Sequence, residues 1–275
     1  MSVHQPELLN PPDSRQAAPG DALPQLPRIL NRPQKTLQEV LFRESLLALS
    51  QIGDVTHILE LRPRLAAQLP QNSENTRLRY ADSLIRWFLR DGLQGLALSV
   101  WRHYQDPAIQ AAIHRYLYLT AEPIVARCVV DLLPKLQERV VIPAAYLISN
   151  TEKLVGHELA ELSRKRLLSN LRKLGFLENT PAGDRIAAPP VNKTALLLAL
   201  HHTFAVTGPR TIEFAQIEKN PFWCFGGLRT VDALRDFLRE IDHASLIGKY
   251  VIADRLEQIT TCYTLTELME KKVRL

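Results

Sequence analysis

Several things are scarce in this sequence, and each scarcity closes a class of function. Three cysteines in 275 residues, Cys128, Cys224 and Cys262, are odd in number and widely spaced. They supply neither a disulfide framework nor the short pairs that hold zinc, so reduced, buried thiols are expected. No apolar run approaches the ~20 residues that cross a bilayer. The longest, 140–148, contains Pro143 and ends at Ser149. The opening Met1-Ser-Val-His-Gln-Pro lacks the charged-then-apolar pattern of a signal peptide, so the expectation is a cytoplasmic protein with no membrane partner. Walker-type glycine loops, GxGxxG, GxSxG and HExxH are all missing, and the acidic residues form no obvious metal-dependent nuclease centre. The expectation is a protein that is not an enzyme, with no catalytic residue, metal or cofactor.

An excess of charge is also missing. Lys and Arg number 34 against 29 Asp and Glu, a net +5, and every long stretch of the chain is nearly balanced. Nucleic acid held over the whole surface would require a more lopsided chain. Any basic site must be local.

What is present is the composition of an ordinary globular chain, 46% hydrophobic and 23% charged, with length for about two domains. Residues 1–34 hold Pro6, Pro11, Pro12, Pro19, Pro24, Pro27 and Pro33 and few large apolar groups. They read as an extended tail, with a partner contact as the alternative. Residues 35–140 change to helical periodicity. Leu37, Val40, Leu41, Leu47 and Ala48 predict a first helix, and 55–69 a second, interrupted at Pro63. Leu78, Ala81, Leu84, Ile85 and Phe88 give 75–90 an apolar face closed by Asp91-Gly92. Asp106-Pro107 places an N-cap before a first-turn proline, and another helix begins at Glu122-Pro123. Short polar joins between such helices describe a compact all-α bundle. Arg79, Arg86 and Arg90 form a secondary basic stripe on the 75–90 helix, either a phosphate-contacting face or a solvated surface.

Residues 141–190 behave differently. Asn150-Thr151-Glu152 reads as a helix start, and 157–162 continues a helical pattern. Ser163 then reads as a cap and Gly175 as a left-handed stop. Between them Leu167, Leu168, Leu171 and Leu174 share a face, while Arg164, Lys165, Arg166, Ser169, Asn170, Arg172 and Lys173 occupy the rest. Phe176-Leu-Glu178 and Arg185-Ile-Ala187 can pair across the turn cluster at 179–184. This order describes a winged helix-turn-helix, with Arg185 in or beside the wing. Cations neutralise phosphates and Ser or Asn reach base edges, which suits duplex DNA. Protein docking and a merely solvated face are the alternatives. The 12 residues 163–174 carry five basic groups and no acid, so the other 263 carry 29 of each sign.

Residues 191–275 mix periods and predict a small α+β unit, in one form a second wing-like domain. Helices are expected at 195–204, 230–241 and through most of 256–269, and strands at 211–217 and 250–253. His201-His202 invites a metal site, yet neighbours on a helix point about 100° apart, and structural histidines are the better reading. Phe222-Trp-Cys-Phe225 reads as a core or interface plug, with base stacking or a reactive thiol as alternatives.

Four stretches together resemble a known family. Leu41-Phe-Arg-Glu-Ser-Leu-Leu-Ala-Leu49, Arg79-Tyr-Ala-Asp-Ser-Leu-Ile-Arg86, the run from Gln110 through Tyr116-Leu-Tyr-Leu to Leu133, and the helix-turn over 162–177 are similar to BrxA proteins of bacteriophage-exclusion (BREX) defence systems. The likeness covers about 36–190. It implies a mainly α chain with a NusB-like bundle joined to a winged helix, double-stranded DNA as a partner, and protein partners in a defence complex. By position it supports Arg164, Lys165, Arg166, Arg172 and Lys173 as nucleic-acid contacts. The proline-rich leader and the unit beyond 190 depart from the family pattern. The functional expectation is a non-enzymatic DNA-binding protein of phage defence. A docking adaptor is the runner-up, and RNA binding the third reading.

Overall fold

Residues 107–121 carry apolar groups on nearly every side, the pattern of a helix buried all round. The chain winds about that segment. In the computed structural model, which describes residues 37–52, 55–136, 139–254 and 256–275, the protein is mainly helical. The proline-rich segment 1–34 lies outside the described residues.

The bundle comprises α1 (Phe42–Gln51), α2 (Ile58–Gln68), α3 (Glu74–Phe88), α4 (Leu96–Tyr104), α5 (Pro107–Ala121) and α6 (Pro123–Arg127), which runs on as a π-turn over Cys128–Leu132. Central α5 packs against α1, α3, α4 and α6. Its start follows from sequence, because Asp106 accepts from the amides of Ala108 and Ile109 ahead of Pro107. Two expectations need correction. The first helix begins at Phe42, and 37–41 is a non-helical strap whose Leu37, Val40 and Leu41 are buried by other elements; Leu47, expected on the apolar face, is half exposed. Pro63 does not interrupt α2. The one carbonyl it leaves unserved within the helix is that of Leu59, a highly exposed residue where water can take over.

The next unit is β1 (Val141–Ile142), α7 (Ala144–Val155), α8 (Glu161–Lys173), β2 (Leu177–Thr180) and β3 (Gly183–Ile186). Its antiparallel sheet has the order β1-β3-β2, with Arg185 opposite both Val141 and Glu178. Asn150 starts no helix. Pro143 opens α7, and Gly156, at φ 79°, closes it. Ser163 is likewise no cap, since α8 begins two residues earlier after Ala160. Gly175 does stop the helix, at φ 86°.

The last stretch comprises α9 (Lys193–Phe204), β4 (Thr211–Glu213), α10 (Phe214–Lys219), α11 (Phe222–Phe225), α12 (Val231–His243), β5 (Lys249–Ala253), β6 (Leu256–Thr260) and α13 (Leu265–Glu270). The strand expected over 211–217 turns helical at Phe214, and 256–260, expected to be helix, is a strand. The sheet order is β4-β6-β5, again antiparallel. The chain therefore runs strand, helices, strand, strand twice, with the last strand central each time. In both units an arginine of the long helix grips a carboxylate of that central strand with two hydrogen bonds. Arg172 holds Asp184 at 2.6 and 2.7 Å, and Arg235 holds Glu257 at 2.9 and 3.1 Å. A single buried cluster joins the bundle and both units.

Candidate nucleic-acid interface

The helix α8 was expected to present a free basic face. Its apolar Leu167, Leu171 and Leu174 do face the core. Its polar flank, however, meets the strap. Ser163 is buried, and its Oγ accepts the amide of Leu37 at 3.1 Å. Asn170 is fully buried, accepts from the Val40 amide at 2.8 Å, and donates to the Gln38 carbonyl and the Tyr118 hydroxyl at 2.9 and 2.8 Å. Arg166 donates to the Leu37 carbonyl at 2.9 Å. Among the described residues the strap pairs with no strand, and α8 side chains satisfy backbone groups of Leu37, Gln38 and Val40. This removes Asn170 from any set of base contacts.

The cations are paired more thoroughly than the sequence suggests. Arg164 holds Glu152 at 2.8 Å, and Glu152 also accepts the Leu159 amide, fixing the α7–α8 turn. That amide bond first, and Arg164 after it, keeps the Glu152 carboxyl below its ordinary pKa despite burial. Lys165 pairs with Glu161 one turn back at 2.8 Å, and Arg185 with Glu178 across the ribbon at 2.5 Å. Lys173 and Ser169 both hold Glu39 of the strap, at 2.8 and 2.9 Å. The Lys173 hydrogen bond is the main reason the Glu39 carboxyl lies below its usual range. Arg172 is committed to Asp184, whose side chain is only 3% exposed, which makes it a ribbon anchor. Four of the five basic groups among 163–174 are thus answered by acids from the strap, the α7 end and turn, the first turn of α8, and the ribbon, and the fifth, Arg166, by a strap carbonyl. Glu161 opens α8 and Glu158 lies three residues before it, while the other acids are remote in sequence.

On the bundle side, Arg86 lies over the Trp87 ring and donates at 2.9 Å to Glu122, a buried carboxylate that also accepts Trp87 Nε1. Arg90 approaches Asp91 at 3.8 Å. Arg79 has no carboxylate partner among the described residues and lies beside the Tyr80 ring. The stripe therefore divides into two answered arginines and one open.

Of the arginines singled out from sequence, two that have no carboxylate partner among the described residues meet at the strap. Arg79 of α3 and Arg166 of α8 line one cleft of about 170 Å³ with Gln38, Glu39, Leu41, Tyr80 and Ser83. At the C-terminal end of the strap, Arg43 joins Arg172 and Lys173 in lining a cleft of about 490 Å³ with Phe42 and Glu44. Arg43 was not singled out from sequence, because it stands alone in an amphipathic helix. Only folding brings it beside α8. The result is a cationic seam between bundle and ribbon unit, with Glu39 in its middle. Exposed ion pairs such as Lys173–Glu39 are each worth about 0–1 kcal/mol, so a phosphate can replace the carboxylate at little cost.

The Ser45–His114 contact has the residue types of a nucleophile and base, and its geometry opposes that use. Ser45 Oγ donates to the Phe42 carbonyl at 2.7 Å, so the 2.9 Å contact is completed by the His114 Nδ1 proton. Gln110 fills the other ring nitrogen at 2.7 Å. Burial pushes the His114 pKa down to about 3, and Ser45 is inaccessible. His201 turns inward, and His202 meets the Tyr116 hydroxyl at 2.9 Å. Phe222, Trp223, Cys224 and Phe225 are buried core, and burial pushes the Cys224 thiol up to about 12. Among the described residues no three His, Cys, Asp or Glu side chains converge as metal ligands, and no helix is long and apolar enough to cross a membrane.

Compared with protein-family models, curated proteins and solved structures, the chain matches none of them.

Proposed function

We propose that this chain binds duplex DNA, without catalysis of its own, through the seam between its bundle and its first ribbon unit. In this reading the unit β1–β3 is a winged helix-turn-helix and the bundle is NusB-like. The protein acts with protein partners in a BrxA-like phage-defence assembly inside the bacterial cytoplasm. The observation that carries the reading is the meeting of Arg79 and Arg166, 87 positions apart in sequence, in one cleft with no carboxylate among the described residues bonded to either. Arg43 extends that potential across the strap. Two cations left open on a shared concave surface suit a run of phosphates, and the exposed pairs of Lys165, Lys173 and Arg185 offer secondary contacts. Arg164 and Arg172 contribute charge while holding the unit together.

Fluorescence anisotropy with a labelled duplex tests this. The Arg79→Ala/Arg166→Ala variant should bind about tenfold more weakly or worse, whereas Lys165→Ala, on the outer face of α8, should change affinity less than about threefold. Equal losses would return the contact to the outer face. No loss in either would remove the DNA reading, and an RNA hairpin competing better than duplex would redirect it to RNA. Protein docking is the second reading. It is favoured by exposed Val140, Val141 and Tyr146 where β1 enters α7.

A further inference from the structure

The second ribbon unit repeats the first in chain order, sheet order and arginine anchor, yet its long helix has the opposite charge. Among its 13 residues α8 carries five basic groups and one acid, Glu161. The 13 residues of α12 carry Asp232, Asp236, Glu240 and Asp242 against Arg235 and Arg239. Both arginines are occupied. Arg235 lies over the Phe214 ring and holds Glu257, and Arg239 pairs with Asp236 at 2.7 Å. Exposed Asp232 and Asp236 side chains remain on the outer face, at 90% and 74%. Beside α12 lies a cleft of about 390 Å³, lined by Glu213, Phe214, Ala215, Glu218, Arg235, Leu256 and Glu257. Glu213 and Glu218 are exposed there, with no cationic partner among the described residues. Leu256 and Ile252, 47% and 57% exposed, add an apolar border from the β5–β6 hairpin. Such a surface repels phosphate. It complements cations presented on a protein, with aliphatic stems against the apolar border.

We infer that the α12 face and its cleft dock the strap-side seam of a second copy of this chain, head to tail. The same molecule carries the complement where its bundle meets its first unit: among the described residues, Arg43, Arg79 and Arg166 have no carboxylate partner there, and Glu213 and Glu218 no cationic partner at the α12 cleft. Because the two faces are different patches, the contact is heterologous and propagates into rings or open chains. The argument uses the charge of the seam and not its proposed ligand, so self-association stands or falls without nucleic acid.

The test is sedimentation velocity on nuclease-treated full-length protein across a concentration series. Wild type should gain mass with concentration at about 0.05 M salt and return to monomer at about 0.5 M, where screening shortens to a few ångströms. The Glu213→Lys/Glu218→Lys and Arg79→Glu/Arg166→Glu variants should each stay monomeric at low salt, with at least a tenfold weaker association. Mixed one to one, they should form a heterodimer, because the first retains a basic seam and the second an acidic cleft. Circular dichroism melts matching wild type establish that both variants fold. Wild type that stays monomeric throughout, variants that still self-associate, or a mixture that fails to pair overturns the proposal.

Discussion

The two ribbon units, α7–β3 and α10–β6 with their preceding strands, share a topology and differ in what their long helix faces. The flank of α8 is laid against the strap, and its outer residues are basic. Among the described residues no strap crosses α12, which sits on its own sheet and keeps exposed carboxylates. Identical chain order with opposite surface charge means that the backbone plan does not decide the partner; the side chains on one helix do. What the units share is the anchor between helix and central strand. What separates them is how the helix is held from outside and which charges it leaves open.

Breaking that external hold should have the largest effect. Asn170→Ala strips a partner from the buried Val40 amide, the Gln38 carbonyl and the Tyr118 hydroxyl. It should cost about 3 kcal/mol in urea unfolding. Glu240→Ala, at the same turn of α12, loses an exposed pair with Lys193 and should cost less than about 0.5 kcal/mol. Similar costs would mean that the strap does not distinguish the units.

The shared anchors should differ next. Arg172→Ala leaves Asp184 buried and unpaired, a loss of about 2 kcal/mol after allowing for the exposure of the arginine. Arg235→Ala leaves Glu257, 20% exposed, with water in reach, and should cost clearly less by the same measurement.

A smaller effect follows from acid. His202 of α9, the helix leading into the second unit, is held neutral by burial, with its pKa lowered from 6.5 to about 4. Below pH 6.5 the unfolded chain takes up the proton and the folded chain does not. This contribution is therefore complete above 6.5 and is lost as pH falls towards 4. The loss is about 1 kcal/mol at pH 5.5. Hydrogen exchange should show amides of α9 losing protection before those of α8, whose ties through Tyr118 and Asn170 do not titrate there. Reversed order would contradict the assignment of that tie.

Much of the fold was legible where one local signal dominates. Asp106-Pro107 fixed the start of α5, Gly175 the end of α8, and the apolar spacing of 78–88 the body of α3. The readings failed where the deciding partner is remote. Residues 37–41 have helical spacing but become a strap, because Ser163 and Asn170 satisfy their backbone groups from about 130 positions away. Residues 256–260 are strand because β4 and β5 flank them, although their composition also suits a helix. The site was half legible for the same reason. The basic run at 164–173 stood out, while Glu39, Glu152 and Asp184, which answer it, and Arg43, which extends it, were scattered through other segments.

The central claim is that the open cations of the seam, and not the outer face of α8, meet phosphate. The most direct measurement is the slope of log affinity against log salt for duplex binding, compared between wild type and Arg79→Ala/Arg166→Ala. Each phosphate contact contributes about 0.9 to that slope on duplex DNA. The account predicts that the double variant is shallower by about 2, with Lys165→Ala close to wild type. A double variant with the wild-type slope, alongside a shallower Lys165→Ala, would contradict it.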